Sequence, residues 1–128
     1  MNPMALLDRL PPSWRPTVLR VGFNLFPPFR GTGGRLTWVA PDLLSMEASL
    51  PFNWRTRNAN GTIYGGSLFS VTDGPHPIML LLALDPKKVV VWDKAASIRY
   101  RRPATQPLRA RFEVPQTLLQ EIQHRLQA

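Results

Sequence analysis

The clearest pattern in the chain is a strict alternation near its end. Leu108, Ala110, Phe112 and Val114 are apolar, and Arg109, Arg111 and Glu113 between them are charged. A period of two describes a strand with one buried and one wet face, which belongs in an antiparallel sheet. Met46, Ala48 and Leu50 repeat the pattern and predict a strand over 45–54, which Pro51 weakens or places on an edge. Arg35–Ala40 (RLTWVA) and Lys88–Trp92 (KVVVW) read as further strands. So does Ala95–Arg101, with Ala96, Ile98 and Tyr100 on one side and Ser97, Arg99 and Arg101 on the other.

Helical spacing marks the rest. Leu6, Leu7 and Leu10 form one side of a short helix or arm that Pro11-Pro12 ends. Pro16 suits the first turn of a second helix with Val18, Leu19 and Leu25 as its stripe, and Pro27-Pro28 stops it. Leu118, Leu119, Ile122 and Leu126 give an amphipathic closing helix. Between these lies a central helix, starting at Gly65 or Gly66 and running to about Leu84, with a kink near Gly74 where Pro75 and Pro77 fall. Its second half is apolar all round, so it is expected to be enclosed by other structure. Strands in sequence without crossovers mean an α+β fold. The expectation is one domain over residues 1–128, with a helical arm over 1–30 and a C-terminal helix over 115–128.

Composition narrows the function classes. A chain of 128 residues is long enough for one core. Its 14 prolines are spread out and act as punctuation between elements. Cysteine is absent, which excludes disulfides, thiolate catalysis and Cys-based metal sites, and no metal site is expected. The longest apolar run, Ile78–Leu84, is far short of a membrane span, and MNPMALLDRL is too short an apolar run for a signal peptide. The expectation is a cytoplasmic protein with no membrane partner. A net charge of +8 and a pI near 11.3 suit an anionic ligand. No nucleic-acid motif is present and aromatics are not interleaved regularly with the arginines, so nucleic-acid binding stands only as the weakest of three alternatives.

Candidate chemistry lies between Asn58 and Leu84. Asn60-Gly61 is a turn dipeptide, and Gly65-Gly66 opens the central helix. Bare backbone N–H groups at a helix start, with the peptide dipoles behind them, can hold a phosphate or a developing oxyanion. A plain loop leading into a packed helix explains the same glycines. Asp73 is the one acid in an otherwise apolar stretch, and such a carboxylate must be paired, hydrogen-bonded or raised in pKa. Asp73-Gly74-Pro75 is equally a helix stop. Gly65 and Asp73, eight positions apart, lie ~12 Å apart along one helix. They cannot serve one carbonyl group, so a catalytic site would be shared between two subunits.

The run N-A-N-G-T-I-Y-G-G-S-L-F-S-V-T-D, then V-V-V-W-D-K-A-A-S-I-R-Y-R-R-P, resembles the hotdog-fold thioesterase superfamily from Gly22 to Val114. It is similar to the branch with the phenylacetate-pathway acyl-CoA thioesterases, and to a family of domains of unknown function (DUF4442) in that superfamily. The resemblance implies a curved antiparallel sheet wrapped around a long central helix, in a homodimer or homotetramer. It implies an N–H of Gly65 or Gly66 polarising a thioester carbonyl, Asp73 as base or nucleophile, and Asn58 as a polar position before the Gly pair. Tyr64 stands where many of these thioesterases have His, and is assigned to substrate binding. The expected activity is hydrolysis of a coenzyme A thioester, or of an acyl group on another carrier, without any further cofactor. Lys94, Arg99, Arg101 and Arg102 are candidates for the carrier phosphates; a solvated strand face accounts for each of them singly. The competing expectation is a non-catalytic hotdog module that binds an acyl ligand or a protein partner.

Overall fold

A computed structural model describes residues 3–127. The ends of the expected arm and closing helix, residues 1–2 and 128, lie outside it. The element order is α1 (Pro3–Leu7), α2 (Arg15–Leu25), α3 (Pro27–Gly31), β1 (Arg35–Val39), β2 (Ser45–Leu50), α4 (Gly65–Asp73), α5 (Pro75–Ala83), β3 (Leu108–Glu113) and α6 (Gln116–Gln127). This is an α+β arrangement. Its sheet is antiparallel, in the order β1-β2-β3, with β2 in the middle.

The period-two pattern explains the packing. Val39, Met46 and Phe112 stand opposite one another across the three strands and are all buried. Leu36, Ala48 and Ala110 make the next row, and Leu50 and Leu108 the third. Leu36 and Val39 both face inward although they are three positions apart, because a bulge between Leu36 and Trp38 shifts the register. The outer face carries Trp38, Glu47 and Arg111. The Arg111 guanidinium lies 5.4 Å from the Trp38 ring centre and donates to Glu47 at 2.8 Å and to Glu113 at 2.7 Å. The β1 edge is covered at Leu36, whose N–H and C=O both bond the Asn24 side chain of α2, at 2.6 and 2.9 Å.

Helices α4 and α5 cover the inner face, α4 against β2 and α5 against β3. They meet at Gly74, which keeps helical angles (φ −87°, ψ −40°), so the expected kink is a junction between two helices. Leu7, Leu19 and Phe29 of the arm join the sheet and helix residues in one core cluster.

Three expectations need correction. Lys88–Trp92 and Ala95–Arg101 are not strands: residues 89–101 form neither helix nor ladder among the described residues, and the chain bends at Lys94. The second strand ends at Leu50, because Pro51 has no N–H to give to a ladder. The second half of the central helix is not enclosed within the protomer. Only Pro75 and Met79 of α5 are buried, and Ile78, Leu80, Leu81 and Leu82 are half-buried. The expected closing helix is present as α6, with Leu119 buried and Leu118 and Leu126 of its stripe exposed.

Gly33, at the turn into β1, has φ +90°, and a Cβ there would sit 2.5 Å from Thr56 Cγ2. Thr56 cannot yield: it is fully buried, donates its hydroxyl to Pro51 O at 2.6 Å and accepts from Asn53 N–H at 3.1 Å. Gly33→Ala is expected to cost about 1–2 kcal/mol from the left-handed backbone alone, with the collision added. Thr56→Ser in the same chain removes the methyl and keeps the hydroxyl. Thermal unfolding of the double variant should recover the steric part of the loss and leave the backbone part.

Candidate active site

The entry to α4 is held from three sides. The Asn58 carboxamide accepts from the N–H groups of Asn60 and Thr62, both at 3.0 Å, and donates to the Thr62 hydroxyl at 2.9 Å. Asn58 therefore closes its own loop. Ile63 N–H donates to Ala104 O at 2.8 Å, and Tyr64 N–H donates to Thr56 O at 2.7 Å. The Tyr100 hydroxyl donates to Gly65 O at 3.0 Å. The segment between α5 and β3 is thus fastened to the start of α4 although it joins no sheet.

Both glycines lie close under aromatic rings. A Cβ on Gly65 would lie 3.3 Å from the Tyr100 ring, and one on Gly66 would collide with the Tyr64 ring. Tyr64 itself is exposed. The Ser67 and Leu68 N–H groups bond Tyr64 O, whereas the Gly65 and Gly66 N–H groups have no acceptor among the described residues. Two donors at the positive end of the helix dipole are the chemistry an oxyanion needs.

A cleft of about 260 Å³ runs between α4 and the segment that joins α5 to β3. Leu50, Leu68, Val71, Leu108 and Ala110 form its apolar floor, which is why Leu108 and Ala110 are incompletely buried despite their inward register. Arg99, Arg101, Arg102 and Arg109 line its wall. The structure thus gathers three of the four expected phosphate binders into one cleft. Arg109 joins them; the alternation places it on the wet face of β3 and says nothing of what lies alongside. Lys94 is exposed and lines neither this cleft nor the cavity described next.

Asp73 ends α4 at the other side. It borders an apolar cavity of about 560 Å³ between the helical arm and the α4–α5 junction. Its neighbour Thr72 borders the arginine cleft, so two consecutive residues separate the two spaces. The Asp73 carboxyl is raised above the ordinary carboxylate range. The largest cause is partial desolvation, followed by a hydrogen bond to the Asp93 carboxyl and by its negative charge. Asp93 is the site residue that sequence reasoning missed. Its only sequence signal is a second acid in the Trp92-Asp93-Lys94 segment, and only the path of that segment brings it to Asp73.

His76 is exposed and its ring meets Phe112 edge-on at 5.3 Å. Among the described residues no three His, Asp or Glu side chains are grouped to hold a metal ion. No helix of the described residues is long and apolar enough to cross a membrane.

The family model for Domain of unknown function (DUF4442) matches residues 16–127. The chain belongs to that family. The match takes in α2 to α6 and so every residue of the two spaces except those of α1 and its following turn. Comparison with the curated proteins and with the solved structures gives no match.

Proposed function

We propose that this DUF4442 protein is a thioester hydrolase of hotdog type, acting on an acyl group carried by coenzyme A or a similar phosphorylated carrier. The observation that carries the reading is the position of Asp73, at the divide between an arginine-lined cleft and an apolar cavity. A phosphorylated carrier suits the first space and an acyl chain the second, which sets the thioester beside the carboxyl. Asp73 takes a proton from water, and the water oxygen attacks the carbonyl carbon. Glycine N–H groups hold the resulting oxyanion. Collapse breaks the C–S bond, the protonated Asp73 gives its proton to the leaving thiolate, and a carboxylic acid and a thiol leave.

Within one chain the glycines lie at the far end of α4 from Asp73, so the N–H donors come from a second copy. Two features support such an assembly. The segment after Val89 joins no ladder among the described residues, and its Val90 and Trp92 are each 83% exposed. The leucine-rich face of α5 is also incompletely covered. A partner strand over 89–101 and a partner helix over α5 would complete a curved sheet around the central helix, in a homodimer or homotetramer.

The second reading is a non-catalytic module that binds an acyl ligand or a protein. One observation favours it: the Tyr64 ring packs over Gly66, where the oxyanion would bind.

The test is release of free thiol from short, aryl and long acyl-CoA thioesters, read with a thiol reagent to which this cysteine-free chain is silent. Turnover that persists at constant specific activity through purification is the expected result. Acyl-CoA binding without turnover would favour the module instead.

A further inference from the structure

We propose that the outer face of α2, with a basic recess beside it, docks on the surface of a bilayer that contains anionic phospholipid. The inner face of α2 packs on the protein through buried Leu19 and half-buried Phe23. A surface helix carries polar residues on the opposite side, and this one does not. Val18 N–H bonds Trp14 O at 3.0 Å, so Trp14 continues the helical path. At 3.6 residues per turn, Trp14, Val18, Val21 and Leu25 fall within ~60° of the helix circumference. They are 61%, 41%, 44% and 61% exposed. An apolar stripe on the wet side of a helix marks an interaction surface.

Charge says what covers it. Leu25 ends the stripe and also lines a recess of about 680 Å³ with Pro27, Arg30, Trp54 and Arg55. The Arg55 guanidinium lies 5.1 Å from the Trp54 ring centre, and Trp54 is 81% exposed. Neither Arg30 nor Arg55 meets a carboxylate among the described residues. Residues 1–35 hold five arginines and one acid, Asp8. A second copy packed on this face about a two-fold axis would set arginine against arginine. An anionic bilayer meets both halves of the surface: its phosphates suit Arg30 and Arg55, and the headgroup–acyl boundary takes the stripe, with tryptophans at the interface. The expectation of no membrane partner rested on the lack of a spanning segment, and a helix lying in the interface needs none. The proposal is independent of the hydrolase reading.

The test is co-sedimentation of the purified full chain with vesicles of phosphatidylcholine alone and of phosphatidylcholine with phosphatidylglycerol. Binding to the anionic vesicles is expected, weakening as salt rises from about 0.05 to 0.5 M, with little binding to the neutral ones. Arg30→Gln and Arg55→Gln should each weaken it about fivefold. The same charge loss at Lys87 and Lys88, which follow α5 and line no part of the recess, should change it less than about twofold. Val21→Gln with Leu25→Gln keeps every charge and should weaken binding about tenfold or more, at an unchanged melting temperature. Should that pair not fold, Trp54→Gln, in the turn after β2, decides the same point. No preference for the anionic vesicles overturns the proposal. So does an equal loss from the Lys87 and Lys88 variants, which would mean attraction by net charge alone. Folded stripe variants that bind vesicles as wild type does, or that only dissociate a dimer, overturn it too and give the face to a second copy or to water.

Discussion

Asp73→Asn is expected to lower thioester turnover by about 10²–10⁴-fold, the loss that follows removal of a general base, with binding of the acyl ligand kept. The amide has nearly the same shape and keeps one hydrogen-bond acceptor, so the wall of the cavity is preserved. It cannot take a proton from water at neutral pH. Steady-state kinetics should therefore show the fall in kcat, with KM changed little. A turnover within twofold of wild type would remove Asp73 from the chemistry.

Asp93→Asn should behave differently. The Asp73 carboxyl is raised by desolvation first, then by the hydrogen bond and the charge of Asp93. Neutralising Asp93 removes the charge and alters the hydrogen bond, and leaves the desolvation. The acid limb of the pH–rate profile should move to lower pH without loss of the plateau. Stability gives the same information with its sign fixed by linkage. Because the folded value lies above the unfolded one, the folded state binds more protons between the two. Stability is therefore highest below the unfolded value and declines as pH rises through the folded one. Asp93→Asn should flatten that decline and melt slightly higher than wild type at neutral pH. The gain is modest because Asp73 is exposed and water screens the pair.

Much of the fold was legible because it is local. The alternation over Leu108–Val114 and Met46–Leu50 needs only a period of two, and the prolines at 11–12, 16 and 27–28 mark helix boundaries by their own chemistry. Lys88–Trp92 and Ala95–Arg101 show the limit of that reasoning. Their β-branched and alternating residues suit a pleated surface, but a strand exists only where a neighbour supplies the other half of the ladder. No described strand pairs with them, so the same propensity yields a chain outside any ladder. The site divides the same way. Asp73 stood out as an acid among apolar residues, and the Gly65-Gly66 pair as a helix entry. The pairing of Asp73 with Asp93, and the gathering of Arg99, Arg101 and Arg102 with Arg109, depend on where a non-helical, non-strand segment crosses α4. No periodicity encodes that crossing.

Met46→Ala is expected to destabilise the protein by about 2–5 kcal/mol, the range for truncating a fully buried Leu, Ile or Met. Met46 is 0% exposed in the middle strand, between Val39 and Phe112, and Phe112 in turn carries the His76 ring of α5. Neither neighbour can close the gap alone, because β1 and β3 are held to β2 by their ladders on either side. Against a total of about 5–15 kcal/mol for a natural domain, the loss is a large fraction, and urea unfolding should show it as a lower midpoint at unchanged slope. The adjacent residue is the control. Glu47 faces outward and its carboxylate meets Arg111 at 2.8 Å with both side chains about half exposed, so Glu47→Ala should cost at most about 1 kcal/mol. Met46→Leu, similar in volume, should cost less than about 1.5 kcal/mol. Only a buried row at this register produces that order. A one-residue slip of β2 would turn Glu47 inward and reverse the ranking of positions 46 and 47. The three variants therefore test the register of the sheet on which α4, and with it Asp73, is seated.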